Sequence, residues 1–371
     1  MIKDKEENGI FYVVNNKIIN DDDNEVKNAI KSIIKNYNIY NLTHQTDLDG
    51  IVSAALLLRS KIINLDKVYF GNYSEEDIER VINELKEIKG SNNCLILTDI
   101  NNLDKSNFTE FLKHFREDGN KIIVLDHHPL KSNINDVAKM LDVAVIGENK
   151  FCGADLVYEY IIKNINDDID EIFDSITNLA HLSDFYLYKG TVYEYHVEKL
   201  SEVIDYINSH SRSIDTQNRK LKDMVKNISL GAYNDTKINK IFEKYKKEEE
   251  KYMKILLSEG NLFEFKNDEG NLKIGVGFSK NLKSNNACEA IFKKTYANIA
   301  LFVNIKSGSV SLRRKNECNV DLGKIASYFG GGGHAYASGF NLDKKTLNKI
   351  KTEEGKNELI DKIKEVINKI N

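Results

Sequence analysis

Residues 39–62 read IYNLTHQTDLDGIVSAALLLRSKI, and their pattern sets the fold class. Residues 39–43 form a short apolar run suited to a strand. The run leads directly into His44, Asp47, Asp49 and Gly50, and residues 51–62 then place apolar side chains at helical spacing. The same alternation recurs downstream. Apolar runs at 68–70, 94–98 and 122–125 are separated by EEDIERVINELKEI and SNFTEFLKHF, both amphipathic. Strand–helix alternation of this kind predicts an α/β fold, an open parallel sheet with helices on both faces.

Outward from that core, GIFYVVNNKII at residues 9–19 reads as a hairpin turning at Asn15-Asn16, ended by the polar run 20–24. A helical pattern starts at Val26. Two further helices are expected between 151 and 184, and beyond Tyr193 the chain is charged and helical. From Gly260 a second α/β pattern begins, with strands at 272–278, 299–305 and 310–313, a glycine run at 330–333 and a helix at 358–370. The expected organisation is an extension (1–35), a parallel-sheet domain (36–195), a helical linker (196–259) and a smaller α/β domain (260–371).

Length and composition bound the function. A chain of 371 residues suits two or three domains, and 41% apolar content is enough for packed cores. No stretch reaches the ~20 apolar residues of a membrane span. The charged start MIKDKEENGI lacks the apolar core of a secretion signal. Cys94, Cys152, Cys288 and Cys318 are widely spaced, which argues against a zinc knuckle and a disulfide framework. These features predict a cytoplasmic protein without a membrane partner. A net charge of -4 with scattered bases disfavours a grip on long duplex DNA and favours short or single-stranded substrates.

The acids and histidines gather at strand ends. One strand runs into His44-Gln-Thr-Asp47-Leu-Asp49-Gly50, a second ends on Asp99, and a third on Asp126-His127-His128-Pro129. In an open α/β sheet that edge is the ligand crevice. Carboxylates with imidazoles suit hard or borderline divalent metals, and several buried carboxylates together need cations to offset their repulsion. Taken singly, Asp47-Leu-Asp49-Gly50 reads equally as a turn and Asp99 as a helix N-cap. Two adjacent histidines after an apolar strand are no packing device, and the three sites together point to a two-metal centre for phosphoryl chemistry.

These motifs resemble those of the DHH phosphoesterase superfamily. Asp126-His127-His128 resembles its defining motif, Asp47-Leu-Asp49-Gly50 with Ser53-Ala54 its first, and Asp99 its second. Asn178-Leu-Ala-His181-Leu-Ser-Asp184 resembles the fourth, and Gly330-Gly-Gly-Gly333-His334-Ala335 with Ala337-Ser338-Gly339 resembles the motif of the DHH-associated C-terminal domain. The resemblance implies metal ligands at Asp47, Asp49, Asp99, His127 and Asp184, with Asp99 bridging. It implies two divalent cations, manganese first, with magnesium or cobalt as alternatives. It also places His128 on the scissile phosphate, with Asp126 orienting the histidine pair. Arg313, Gly331, Gly332, Gly333 and His334 would hold substrate. His44 stands three residues before Asp47, where some branches place a histidine at four with a proline that is missing here, so it is carried only as a candidate ligand.

The glycine run has a reading of its own. Four glycines let backbone N–H groups approach an anion, and a helix N-terminus after them would add to the attraction; the rival is a flexible linker. The implied reaction is in-line attack of metal-activated water on phosphorus, the second domain closing over the first. The two-domain form resembles nanoRNases and archaeal RecJ-like exonucleases, which implies release of mononucleotides from single-stranded or short RNA, with single-stranded DNA also open. Cyclic or linear dinucleotides are the alternative substrates. From another class comes a replication accessory scaffold, disfavoured because every ligand position is filled. A homodimer and a replication or repair partner docking on residues 1–25 stay open.

Overall fold

In the computed structural model, which describes residues 10–19, 23–147, 150–166 and 168–370, the N-terminal hairpin closes where the sequence expects. Strands β1 (Phe11–Val14) and β2 (Lys17–Ile19) join through Asn15 and Asn16, both left-handed at φ 48° and 67°, the backbone a two-residue hairpin turn requires. The strands β3 (Asn38–His44), β4 (Val68–Gly71), β5 (Asn93–Thr98), β6 (Lys121–Asp126) and β7 (Val143–Ile146) follow. They form one sheet in the order β2-β1-β7-β6-β5-β3-β4, parallel from β7 to β4, with β1 antiparallel to β7. Strand β7 was not read from the sequence, and it is what docks the hairpin onto the sheet. Of the docking element considered at 1–25, residues 1–9 and 20–22 lie outside the described residues.

Alternation within the buried strands sorts side chains to two faces. From β5, Cys94 and Ile96 pack with helices Asp23–Asn36 and Leu48–Arg59, while Leu95 and Leu97 pack with Glu75–Leu85 and Ser106–Glu117. Each such aliphatic side chain contributes about 1.5–3 kcal/mol on burial, so the central strands form a rigid base for whatever their ends carry. Helix Leu48–Arg59 is apolar almost all round because it is covered in turn by helices Glu171–Asp184 and Ile214–Ser229.

The chain divides into two compact units, Met1–Phe242 and Glu243–Asn371. The helices Glu194–His210, Ile214–Ser229 and Thr236–Leu256 form the helical linker, but the first two bury Val197, Leu200, Ile204, Leu221 and Ile228 in the core of the first unit. The boundary between the units falls inside the third. Among the described residues no helix is long and apolar enough to cross a membrane.

The second unit has its own mixed sheet: β8 (Leu262–Lys266), β9 (Lys273–Ser279), β10 (Ile299–Asn304), β11 (Ser309–Arg314), β12 (Gly332–Gly333) and β13 (Ala337–Asn341). Their order is β12-β13-β11-β10-β9-β8, with only β9 and β10 parallel. The strands expected at 272–278, 299–305 and 310–313 are β9, β10 and β11. The last helix, Glu353–Ile370, starts earlier than the expected 358. One expectation is corrected: the element directly after the glycine run is a strand, not a helix. Gly332 and Gly333 pair with Gly339 and Ser338, and a tight turn, His334 N–H to Ala337 O at 2.8 Å, sends the chain into β13. The helix N-terminus beside the run belongs to Leu322–Tyr328, which precedes it; Leu322 N–H donates to Ala335 O at 3.0 Å.

Candidate metal centre

Sheet topology decides where a site can form in the first unit. Strands β3 and β5 are neighbours, yet β3 leads to β4 on one side and β5 to β6 on the other. Their connections diverge, and the crevice left at their carboxyl ends is the place such sheets bind ligands. Every residue expected to hold metal converges there. Three overlapping groups each bring their ligand atoms within 4.8 Å: His44, Asp47 and Asp99; Asp49, His127 and Asp184; and Asp99, Asp126, His127 and His128.

Asp99 joins two of these groups. It follows β5 with left-handed backbone, φ 55°, and is 1% exposed. Both its carboxylate oxygens, and Nε2 of His127, are buried without a hydrogen-bond partner among the described residues. His127 Nε2 lies 3.3 Å from Asp99 Oδ1 and 3.7 Å from Asp49 Oδ2, and its Nδ1 lies 3.7 Å from Asp184 Oδ2. His44 belongs to the cluster too, with Nδ1 2.5 Å from Asp47 Oδ2 and 3.6 Å from Asp99 Oδ2. Buried carboxylate oxygens and imidazole nitrogens gathered this closely fit divalent cations held by hard and borderline donors.

Electrostatics supports the same reading. Burial, together with the neighbouring Asp49, Asp47 and Asp126, pushes the Asp99 carboxyl well above the usual range. Burial raises Asp49 to about 6 against the partial relief of His127, and Asp184 is raised for the same reasons. Asp47 is the exception: burial works against it, but the His44 hydrogen bond and charge bring it down to about 2. His44 is raised in return, Asp47 outweighing its burial. Asp126, wholly buried, accepts from Asn101 Nδ2 at 2.5 Å and from His128 Nδ1 at 2.8 Å. That hydrogen bond raises His128 and turns its Nε2 away from Asp126.

Several supporting residues escaped the sequence reading. Asp49 accepts from the backbone N–H groups of Gly153 and Ala154, both at 2.7 Å, so the N-terminus of helix Gly153–Val157 fixes its carboxylate. His181, quoted above only as part of the fourth motif, sits with Nδ1 2.7 Å from Asp155 Oδ2, fastening the helix that carries Asp184 to that same segment. Asn101 steadies Asp126. Their only sequence signal was proximity to a motif, because backbone N–H groups leave no mark in residue type. Gly50 has a steric role: a Cβ there would lie 2.2 Å from the His44 carbonyl oxygen. At Gly153 a Cβ would lie 2.8 Å from that of Asp99 and 3.0 Å from Asp49 Oδ2. Gly153→Ala is therefore expected to lower stability by about 1–3 kcal/mol and weaken metal uptake, measured by thermal denaturation with and without Mn2+.

The substrate candidates Arg313, Gly331, Gly332, Gly333 and His334 lie in the second unit and gather at one end of its sheet. Arg313 pairs with Ala337 across β11 and β13, and His334 bonds Ala337 from the turn. His334 stacks on Tyr336 with ring centroids 5.3 Å apart, and Arg313 Nε donates to Asn285 Oδ1 at 3.1 Å.

Two family models match this chain: the DHH family, N-terminal domain, over residues 38–183, and the DHHA1 domain over residues 269–369. The chain carries a DHH family N-terminal domain followed by a DHHA1 domain. Among solved structures the DHH–DHHA1 chain is similar to the pGpG-specific phosphodiesterase PggH from Vibrio cholerae, with TM-score 0.50, 13% identity, and coverage of 87% of this chain and 98% of that one. It is also similar to RecJ in complex with Mn2+ from Thermus thermophilus, with TM-score 0.52, 14% identity and coverage of 90% of this chain. It spans 55% of that RecJ, about half its length. No curated protein matches the sequence. Family and cluster together make this DHH protein a metal-dependent phosphoesterase with a divalent-metal site of aspartates and histidines.

Proposed function

We propose that the chain is an exonuclease that releases mononucleotides from single-stranded or short RNA, and from single-stranded DNA as a second polymer. The observation that carries the reading is the cluster itself: Asp99, whose two oxygens accept no hydrogen bond among the described residues, lies between a histidine–carboxylate group on each side and beside the oriented pair Asp126–His128. His44, Asp47 and Asp99 would hold one cation, and Asp49, Asp99, His127 and Asp184 the other, manganese being the first choice. When bound, such a pair acidifies water and neutralises charge developing on phosphate oxygens.

The chain's own groups supply the rest. His128, with its Nδ1–H committed to Asp126, presents Nε2 to a phosphate oxygen, and Asp126 favours the protonated ring that would donate there. Asp126→Asn removes the charge and one of the two acceptor oxygens shared by His128 and Asn101, which loosens this ring, and is expected to lower kcat roughly 10–100-fold with little change in KM. Steady-state kinetics on a short RNA measures this. Arg313, the Gly331–Gly332–Gly333 backbone and His334 are the proposed contacts to a terminal nucleotide or phosphate.

A linear dinucleotide is the second reading, its substrate suggested by the Vibrio phosphodiesterase, which shares the fold over 98% of its length. A panel separates the two: pGpG, other dinucleotides, and RNA and DNA single strands of increasing length, assayed with Mn2+ at equal concentration. Turnover sustained on strands beyond two nucleotides supports the exonuclease; activity confined to dinucleotides replaces it.

A further inference from the structure

The loop after edge strand β4 does more than end the strand. In the order β5-β3-β4, β4 and β5 are separated by β3, yet their loops are joined by two hydrogen bonds. Tyr73 Oη donates to the Asp99 carbonyl at 3.3 Å, and Asn102 Nδ2 donates to the Asn72 carbonyl at 3.2 Å. The Asn72–Tyr73 segment therefore arches over the end of β3. The Tyr73 ring lies there, 5.1 Å from His44 and 5.9 Å from His128, and Tyr73 is 37% exposed.

The arch is braced from behind. Asn72 N–H donates to Asp77 Oδ2 at 2.5 Å, and Arg80 holds Asp77 at 2.7 Å while donating to Phe70 O at 2.8 Å. What it reaches is a residue with few other restraints. Asp99 is in the left-handed region, which an aspartate occupies at some cost, and its side-chain oxygens have no hydrogen-bond partner among the described residues. Its backbone is held by Asp99 N–H to Leu125 O at 3.1 Å and by the Tyr73 hydroxyl. The first is a main-chain bond that no side-chain change removes, so the hydroxyl is the side-chain bond that holds the Asp99 backbone from which the carboxylate projects.

We propose that Tyr73 is a positioning residue for the metal centre: with Asn102 it clasps the β4 and β5 loops across β3 and aims Asp99 into the cluster. Groups one step removed from a metal ligand tune affinity about 10–100-fold. Tyr73→Phe keeps the ring and removes the donor. Asn102→Gly removes the other bond, and glycine adopts the φ 46° of that position without strain. Calorimetric titration of Mn2+ into the metal-free full chain is the test, with the metal-free Tm beside it.

The expected result is Mn2+ binding weakened roughly tenfold in both variants, with metal-free Tm held within about 2 °C of wild type. Binding within about twofold of wild type in both variants overturns the proposal, as does an affinity loss accompanied by a matching fall in metal-free Tm, which marks a merely structural bond. The inference rests on the metal-centre reading. A wild-type chain that takes up no Mn2+ contradicts that reading and this inference with it, whereas wild-type uptake unchanged in both variants overturns this inference alone.

Discussion

Asp99→Asn is expected to lower phosphodiester hydrolysis by at least roughly 10²–10³-fold while making the metal-free protein more stable. Both effects follow from one geometry. The Asp99 carboxylate is 1% exposed, has no hydrogen-bond partner among the described residues, and faces Asp47, Asp49 and Asp126. Its charge is tolerable only beside cations, so without them it opposes folding. Asparagine is nearly isosteric, removes the charge, and occupies left-handed backbone as readily as aspartate. Relieving an unpartnered buried group is worth about 1–3 kcal/mol, and for a unit of this size each kcal/mol moves Tm by about 2–4 °C. Scanning fluorimetry in a chelator measures the rise, and a Mn2+ titration measures the loss of metal-induced stabilisation. A metal-free Asp99→Asn chain less stable than wild type contradicts this picture of the site.

The second large effect is the pH dependence of stability, which should reverse with metal. In the folded chain Asp49 is raised to about 6, and Asp99 and Asp184 are raised as well. A carboxyl with a raised folded pKa stabilises fully below its unfolded value near 4, and that stability is lost as pH rises through the folded value. His44 and His128, both raised, act in the same sense at higher pH. The lowered Asp47 matters only in acid, where its contribution disappears as pH falls toward about 2. Metal-free Tm should therefore fall between about pH 4 and pH 7. Mn2+ competes with these protons, so the Tm gain it gives should be small at about pH 5 and large at about pH 7.5. At a concentration about a thousand times Kd, each site adds about 4 kcal/mol. Tm measured across that range, with chelator and with Mn2+, checks both slopes.

The fold was legible where side-chain pattern reports it. The runs at 39–43, 94–98 and 122–125 became β3, β5 and β6 because buried parallel strands are apolar on both faces. The short Val143–Ile146 strand was not, since four apolar residues carry no period of their own. The first-unit site was read almost whole, His44 included as a candidate, because its ligands sit at strand ends where sequence and space coincide. What stayed hidden depends on backbone. The amides that hold Asp49 belong to Gly153 and Ala154, about a hundred residues away, and the Tyr73 clasp crosses a strand that the linear order does not reveal as intervening. At the glycine run, the helix expected directly after it is replaced by pairing with Ser338 and Gly339, partners beyond the turn that composition does not reveal.

The most direct test is release of mononucleotides from end-labelled single-stranded RNA by the purified chain, with Mn2+ or with chelator, and with Asp99→Asn as control. Stepwise release by wild type with Mn2+, abolished by chelator and by the substitution, is the expected result. A wild-type chain that binds Mn2+ at this cluster yet cleaves no phosphodiester bond contradicts it.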